Sequence, residues 1–534
     1  MSPFPSLPLK TFHDVRQALL DRQEIALIDV REEDPFAQAH PLFAANFPAG
    51  RLELDAWSRI PRLGTAIVVY DNGEGLAEPA ARTLQQMGYS NVALLDGGLQ
   101  GWRAAGGELF KDVNVPSKAF GELVESQRHT PSLAAEEVQA LIDSRADIVV
   151  LDARRFDEYQ TMSIPGGISV PGAELVLRAR ALAPDPATRI VVNCAGRTRS
   201  IIGTQSLVNA GLPNPVAALR NGTIGWTLAG QALAHGASRC FVEVSPAQRS
   251  EAARQARAVA DRAGVRRARP DDLARFAGEA GRTTYRYDVR TPEEFAAGHL
   301  PGFRSAPGGQ LVQETDVSAP VRGARIVLAD DDGARANMTA SWLAQMGWEA
   351  WVLDGAPADA FRETGTAPAP VPEPEGPIAH TTPEELARWL QGDATGPTAV
   401  LDLTSSANYA KRHIPGAWFV LRAELGQAVA RIPKAQRYVL TCGSSLLARY
   451  AAADLARLTG AEVVVLDGGT QAWIEAGLPL EHGETHLASE RTDRYRRPYE
   501  GTDSPRDAMQ AYLDWEFGLV EQLGRDGTHG FRVV

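Results

Sequence analysis

Cysteine is scarce in this chain: Cys194, Cys240 and Cys442 are the only three in 534 residues. So few thiols, and an odd number of them, exclude a disulfide-stapled scaffold and fit a reducing compartment. Long apolar runs are missing too, since no uninterrupted stretch approaches the roughly 20 residues that a membrane-spanning helix needs. The opening MSPFPSLPLKTF has neither the basic start nor the apolar run of a signal peptide. These absences predict a cytoplasmic protein that makes no use of a membrane. Positive charge is also short, because 54 Lys and Arg against 66 Asp and Glu leave a net charge of −12. With no broad basic field to neutralise phosphates, nucleic acid is not an expected partner, although small anions could still be held locally.

What the chain does have is repetition. Its length exceeds what one hydrophobic core serves, so several domains are expected. A β-branched run ending in an acid recurs as IALIDVR (25–31), IVVLDAR (148–154), TYRYDVR (284–290) and TAVLDLT (398–404). A second recurs as AIVVYD (66–71), RIVVNC (189–194), RIVLAD (325–330) and RYVLTC (437–442). Asp29 to Asp71, Asp152 to Cys194 and Asp288 to Asp330 each span 42 residues, and Asp402 to Cys442 spans 40. Amphipathic stretches such as SIIGTQSLVNAG and LLARYAAADLARLTG follow with helical spacing. A third short run then closes on glycine in NVALLDGG, PVAALRNG, EAWVLDGA and EVVVLDGG, and Trp102, Trp226 and Trp473 trail three of these as core residues.

The copies also open with helix-start patterns, PSLAAEEVQALI and TTPEELARWL, in which Ser132 and Thr382 are the candidate N-caps. Alternation of this kind predicts an α/β fold with a mostly parallel sheet flanked by helices, because parallel neighbours need crossover connections. In such sheets ligands gather beyond the carboxyl ends of the strands, which is where Cys194 falls. The predicted units are residues 1–112, 130–236, 269–365 and 378–484, with a helical linker at 237–268 and a helical extension at 485–534. The segment KDVNVPSKAFGELVESQRHTP reads as a linker before the second copy, and the proline-rich TAPAPVPEPEGP as a semi-rigid one before the fourth.

The DVR or DAR strand ends, HLPG at 299–302, HIPG at 413–416, the cysteine loop and the DGG turn together make the chain similar to the rhodanese-like sulfurtransferases, in four tandem copies. That resemblance implies a small α/β domain and the movement of a sulfane sulfur through a cysteine persulfide. Along the chain the cysteine position reads Asp71, Cys194, Asp330, Cys442. This resembles two inactive and active pairs, expected as domains 1 with 2 and 3 with 4. A carboxylate cannot carry a persulfide, so the aspartate copies are expected to be folded partners, with a cation at their acidic loops as a weaker reading.

In the second copy the loop Cys194, Ala195, Gly196, Arg197, Thr198, Arg199 joins a strand end to a helix start. Free amides and the helix N-terminus there should hold a thiolate and a persulfide and lower the thiol pKa. Arg197 and Arg199 offer planar donors to an anion such as thiosulfate. The expected reaction needs no metal or organic cofactor. It passes sulfur from a small sulfur-containing anion or persulfide donor to a thiol or cyanide acceptor. Cysteine phosphatases and arsenate reductases place an arginine six positions after their cysteine, but here that position is Ser200. A protein-binding or sulfur-relay scaffold is the other reading. Cys442, in the arginine-free loop CGSSLL, stays open as a second catalytic thiol, a sulfur acceptor or a vestigial core residue. Cys240 in SRCFVEVS reads as structural.

Overall fold

The structure, a computed structural model, describes residues 6–393, 396–501 and 503–534. Four five-stranded sheets repeat one topology. In the second the spatial order is Ser132–Leu133, Val216–Leu219, Arg189–Asn193, Ile148–Asp152 and Ile168–Ser169, with every neighbour parallel. The β-branched runs form the central strands because helices cover both faces and every position must be apolar. Asp152 lies level with Asn193 in the register, so the strand leading into Cys194 ends beside a buried carboxylate. The acids of three copies are closed by the arginine two residues on: Arg31 on Asp29, Arg154 on Asp152 and Arg290 on Asp288. The trailing tryptophans are core, and each indole N–H donates to a backbone carbonyl.

Thr382 caps its helix as expected, accepting the Glu385 amide at 3.2 Å. Ser132 does not. It sits in an edge strand, and the N-cap of the helix Ala135–Asp143 is Ala134, two residues later, whose amide donates to the Glu137 carboxylate. The first linker is also more than a linker, since Val115–Arg128 is a helix and most of its residues are buried. The helix Pro246–Arg262, capped by Ser245, bridges the second and third domains, packing on the helices Leu175–Leu182 and Arg335–Gln345.

The pairing of domains differs from the sequence expectation. Equivalent turns meet crosswise, second domain with third and first with fourth. Gly309 lies so close to Gly172 that a Cβ on it would come within 3.0 Å of the Gly172 nitrogen. Gly50 faces Ala423, and Arg422 grips Glu53 with two bonds of 2.7 and 2.8 Å. The two aspartate domains, first and third, share one apolar core and exchange two backbone bonds between Ile25 and Arg322. The sequence repeats are therefore consecutive, but their partners are not.

The C-terminal extension docks on all four domains. Leu487 bridges to Phe419 of the fourth, Thr492 accepts the Asp34 amide of the first, and Arg506 donates to Thr227 and Leu228 of the second. At the end of the chain the Arg532 amide donates to Gln345 of the third. Its helical part is two helices, Arg506–Phe517 and Leu519–Asp526, meeting at Gly518. Among the described residues no helix is long and apolar enough to cross a membrane.

Candidate active site

The DGG-type turn explains the shape of the cysteine loop. Gly222, at φ +56°, lies under the loop where a Cβ would meet the Cys194 carbonyl oxygen at 2.4 Å. From that turn the Thr223 and Ile224 amides donate to the carbonyls of Cys194 and Ala195. With its carbonyls tied down to one helix start, the loop turns amides toward the residue at its head. The first and fourth copies use the same tie: Leu99 N–H to Asp71, and Thr470 N–H to Cys442.

What the amides hold is visible in the aspartate copies. The Asp71 carboxylate accepts from Gly73, Leu76 and Ala77 at 3.0, 2.6 and 2.9 Å. Asp330 accepts from Gly333 and Ala336 at 2.9 and 2.8 Å. At Cys442 the amides of Ser444, Leu447 and Ala448 face the sulfur, the same three loop positions that hold Asp71. At Cys194 the amide of Ser200 does so, and the thiol donates to Ser200 Oγ at 3.4 Å. The loop is thus an anion nest, filled by an internal carboxylate in two copies and by a thiol in the other two. Since both Asp71 oxygens are already taken up by amides, the acidic-loop reading as a cation site finds no support there.

The expected depression of the thiol pKa is not what the geometry gives. Cys194 is 2% and Cys442 5% exposed, and burial pushes both thiols up. Against that push, Arg199 and Ser200 favour the ionised form of Cys194, and the three amides favour that of Cys442. Desolvation wins because an isolated thiolate in a covered site loses more hydration than one or two donors return. Cys240 is exposed and lies outside both cysteine loops, bridging through its backbone to Ser169.

The loop arginines are held by carboxylates. Arg199 makes a two-pronged pair with Glu158 at 2.7 and 2.8 Å, and this holds the Glu158 carboxyl down at about 2. Arg197 grips Glu122 at 2.7 and 2.8 Å, is bonded to Glu125 and lies 4.3 Å from the centre of the Phe517 ring. Ala195 and Thr198, within the loop, are buried. Gly196 is roofed by the C-terminal helix, with Tyr512 Cε1 and Glu516 Oε2 only 3.1 and 3.3 Å from where a Cβ would stand. Beside Arg199 a cavity of about 420 Å³ is lined by residues of the second and third domains and by Arg494, Arg497 and Tyr499 of the extension. A second cavity of about 160 Å³ adjoins Gly443 and carries Asn408, Lys411 and Arg412.

Sequence reasoning missed Glu122, Glu125, Glu158, Ser200, Tyr512 and Glu516. For Glu158 a signal existed in the repeats. Glu294 and Arg335 of the third domain form the same pair at the same separation of 41 residues. Glu122 and Glu516 come from segments outside the repeats and had no such marker.

The rhodanese-like domain family matches the chain four times, at residues 12–105, 134–229, 270–357 and 382–476. This chain belongs to that family. A crystal structure of a thiosulfate sulfurtransferase from Pseudomonas aeruginosa is similar over 99% of this chain and 100% of its own, at 69% identity and a TM-score of 0.97. A thiosulfate sulfurtransferase of Azotobacter vinelandii is 27% identical over 222 residues, which cover 38% of this chain and 80% of that protein. The centrosomal protein of 41 kDa from Xenopus tropicalis is 33% identical over 81 residues, 14% of this chain, and the match spans only 22% of that protein's length.

Proposed function

We propose that this protein is a thiosulfate sulfurtransferase that carries sulfane sulfur as a persulfide on Cys194 and passes it to a thiol or cyanide acceptor. The supporting observation is the anion nest: the loop that receives a carboxylate at Asp71 and Asp330 presents a thiol at Cys194 and Cys442. A terminal persulfide is the sulfur species that such a nest suits, since its charge lies where amides and the helix start point. The name carried by the structurally similar protein from Pseudomonas aeruginosa supports the same reading.

The first half-reaction opens with the Cys194 thiolate on the outer sulfur of thiosulfate. The S–S bond of the donor breaks, sulfite leaves with the electron pair, and Cys194 holds the transferred sulfur. In the second half the acceptor attacks that sulfur and Cys194 leaves as thiolate. Arg199 and the Ser200 hydroxyl and amide stand at the sulfur, where charge appears in both halves. Cys442 has three amides and a cavity with Lys411 and Arg412 beside Gly443, but its loop carries no arginine, and the turnover proposed here runs through Cys194 alone. A covalent relay predicts parallel lines in double-reciprocal plots of thiosulfate against acceptor. Replacing Cys194 with Ser should cost on the order of a thousandfold or more in kcat. Intersecting lines, or an unchanged rate in Cys194→Ser, would refute the persulfide at this residue.

A further inference from the structure

A buried thiol with a raised proton affinity needs somewhere to put its proton. Among the described residues no histidine or lysine is bonded to Cys194, whose side-chain partner is Ser200. Ser200 itself donates to the Arg197 carbonyl at 2.9 Å. The acidic residues around the loop are Glu122, Glu125, Glu158 and Glu516. Both oxygens of Glu122 are bonded to Arg197, Glu125 is bonded to the same guanidinium, and Glu158 is held by Arg199 far too acidic to serve a thiol.

Glu516 differs from all of them. It is 0% exposed, comes from the C-terminal extension and reaches over Gly196. Its Oε1 accepts from the Tyr512 hydroxyl at 2.9 Å, while Oε2, on the loop side, has no hydrogen-bond partner. A buried, unpartnered carboxyl oxygen is costly and calls for a role.

We propose that Glu516 is the proton acceptor for Cys194, so that the extension completes the active site of the second domain. This rests on the reading of Cys194 as the sulfur carrier. In the donor half-reaction the thiol proton moves to Glu516 Oε2, directly or through one water, and the thiolate attacks. In the acceptor half the Cys194–sulfur bond breaks, Sγ keeps the electron pair and takes the proton back. Each turnover therefore returns Glu516 to its ionised form and Cys194 to its thiol, and no proton is gained or lost. Burial and the neighbouring Glu122 push the Glu516 carboxyl up to about 8, which makes it a stronger proton acceptor than an ordinary carboxylate. Lys118, Arg197 and the Tyr512 hydroxyl oppose that push, and the ionised Glu516 in turn raises the thiol. Lys118 is itself fixed by Asp112 at 2.7 Å and sits against the rings of Tyr499, Tyr512 and Trp515.

The test uses the full chain and follows two readouts from pH 6 to 10: the rate of persulfide formation from thiosulfate, and the rate at which iodoacetamide alkylates the Cys194 peptide. In wild type both should rise along a limb near pH 8. In Glu516→Gln both should fall about a hundredfold at pH 7, a typical share for a positioned acid or base, and the limb should move to higher pH. Tyr512→Phe keeps the carboxyl but removes a bond that favours its ionised form, so its limb should also move up while most of the rate at high pH remains. This second variant keeps the test open if Glu516→Gln folds poorly. Unchanged limbs in both variants, or an equal loss at every pH, would overturn the proposal. If alkylation depends on Glu516 as described but Cys194 never gains sulfur, the proton link stands and the persulfide reading falls.

Discussion

The loops of Cys194 and Cys442 begin with the same strand, turn and helix, yet their surroundings differ in one exchanged pair. In the second domain Arg199 and Glu158 close on each other over the loop. The third domain repeats this with Arg335 and Glu294. In the fourth, the positions are Leu447 and Asn408, and in the first they are Leu76 and Pro35. Both members change together because either charge buried alone would be uncompensated. The amides follow the same division. With leucine in the loop, the amide at that position reaches the anion at Asp71 and Cys442. With arginine there, it is the next amide, of Ala336 or Ser200, that reaches Asp330 or Cys194. The crosswise contacts of second with third and first with fourth match these two loop types. One fold thus offers two ways of holding an anion: by a nest of amides, or by fewer amides with a guanidinium nearby.

The sharpest way to break this comparison is to remove the charge that holds Arg197 in place. Glu122→Gln should destabilise the protein by about 3 to 5 kcal/mol, the usual cost of leaving half of a buried pair, towards the lower end because Glu125 remains. Both side chains of the pair are 4% exposed. Urea unfolding would measure it, and a change below 1 kcal/mol would contradict the role given to the linker helix.

A smaller effect separates the second and fourth domains by pH. Asp152 has Arg154 and Asn193 as partners, whereas the Asp402 carboxylate has, among the described residues, the Thr404 amide and the Thr470 hydroxyl. Burial raises the Asp402 carboxyl to about 6. A folded-state value above the unfolded one means stability fully present below about pH 4 and lost as pH rises through 6, by roughly 3 kcal/mol. In Asp402→Asn that part of the pH dependence should vanish. Equal slopes for wild type and variant between pH 4 and 7 would count against it.

Much of the fold was legible because the repeats carry it. The β-branched runs mark the central strands to within a residue, and the glycine-closed runs mark the turns that tie down the loops. Ser132 misled because a capping residue two positions too early looks the same in sequence as one in place. The helix Val115–Arg128 was hidden by its amphiphilic content: Ser117, Lys118 and Glu122 read as a solvated linker, but Ser117 and Glu122 find buried partners far along the chain, at Gln313 and Arg197, and Lys118 pairs with the buried Asp112. For the same reason Arg197 and Arg199 looked free to bind an anion, since the carboxylates that hold them lie 41 to 75 residues away. The crosswise pairing of domains also has no local signature. It follows from surfaces that only the folded repeats bring together.

The most direct test is the mass of the intact protein after thiosulfate treatment and gel filtration, followed by peptide mapping. The account predicts one added sulfur on the Cys194 peptide, lost in Cys194→Ser and removed from wild type by cyanide. No added sulfur, or sulfur found on Cys240 with Cys194 unmodified, would contradict it.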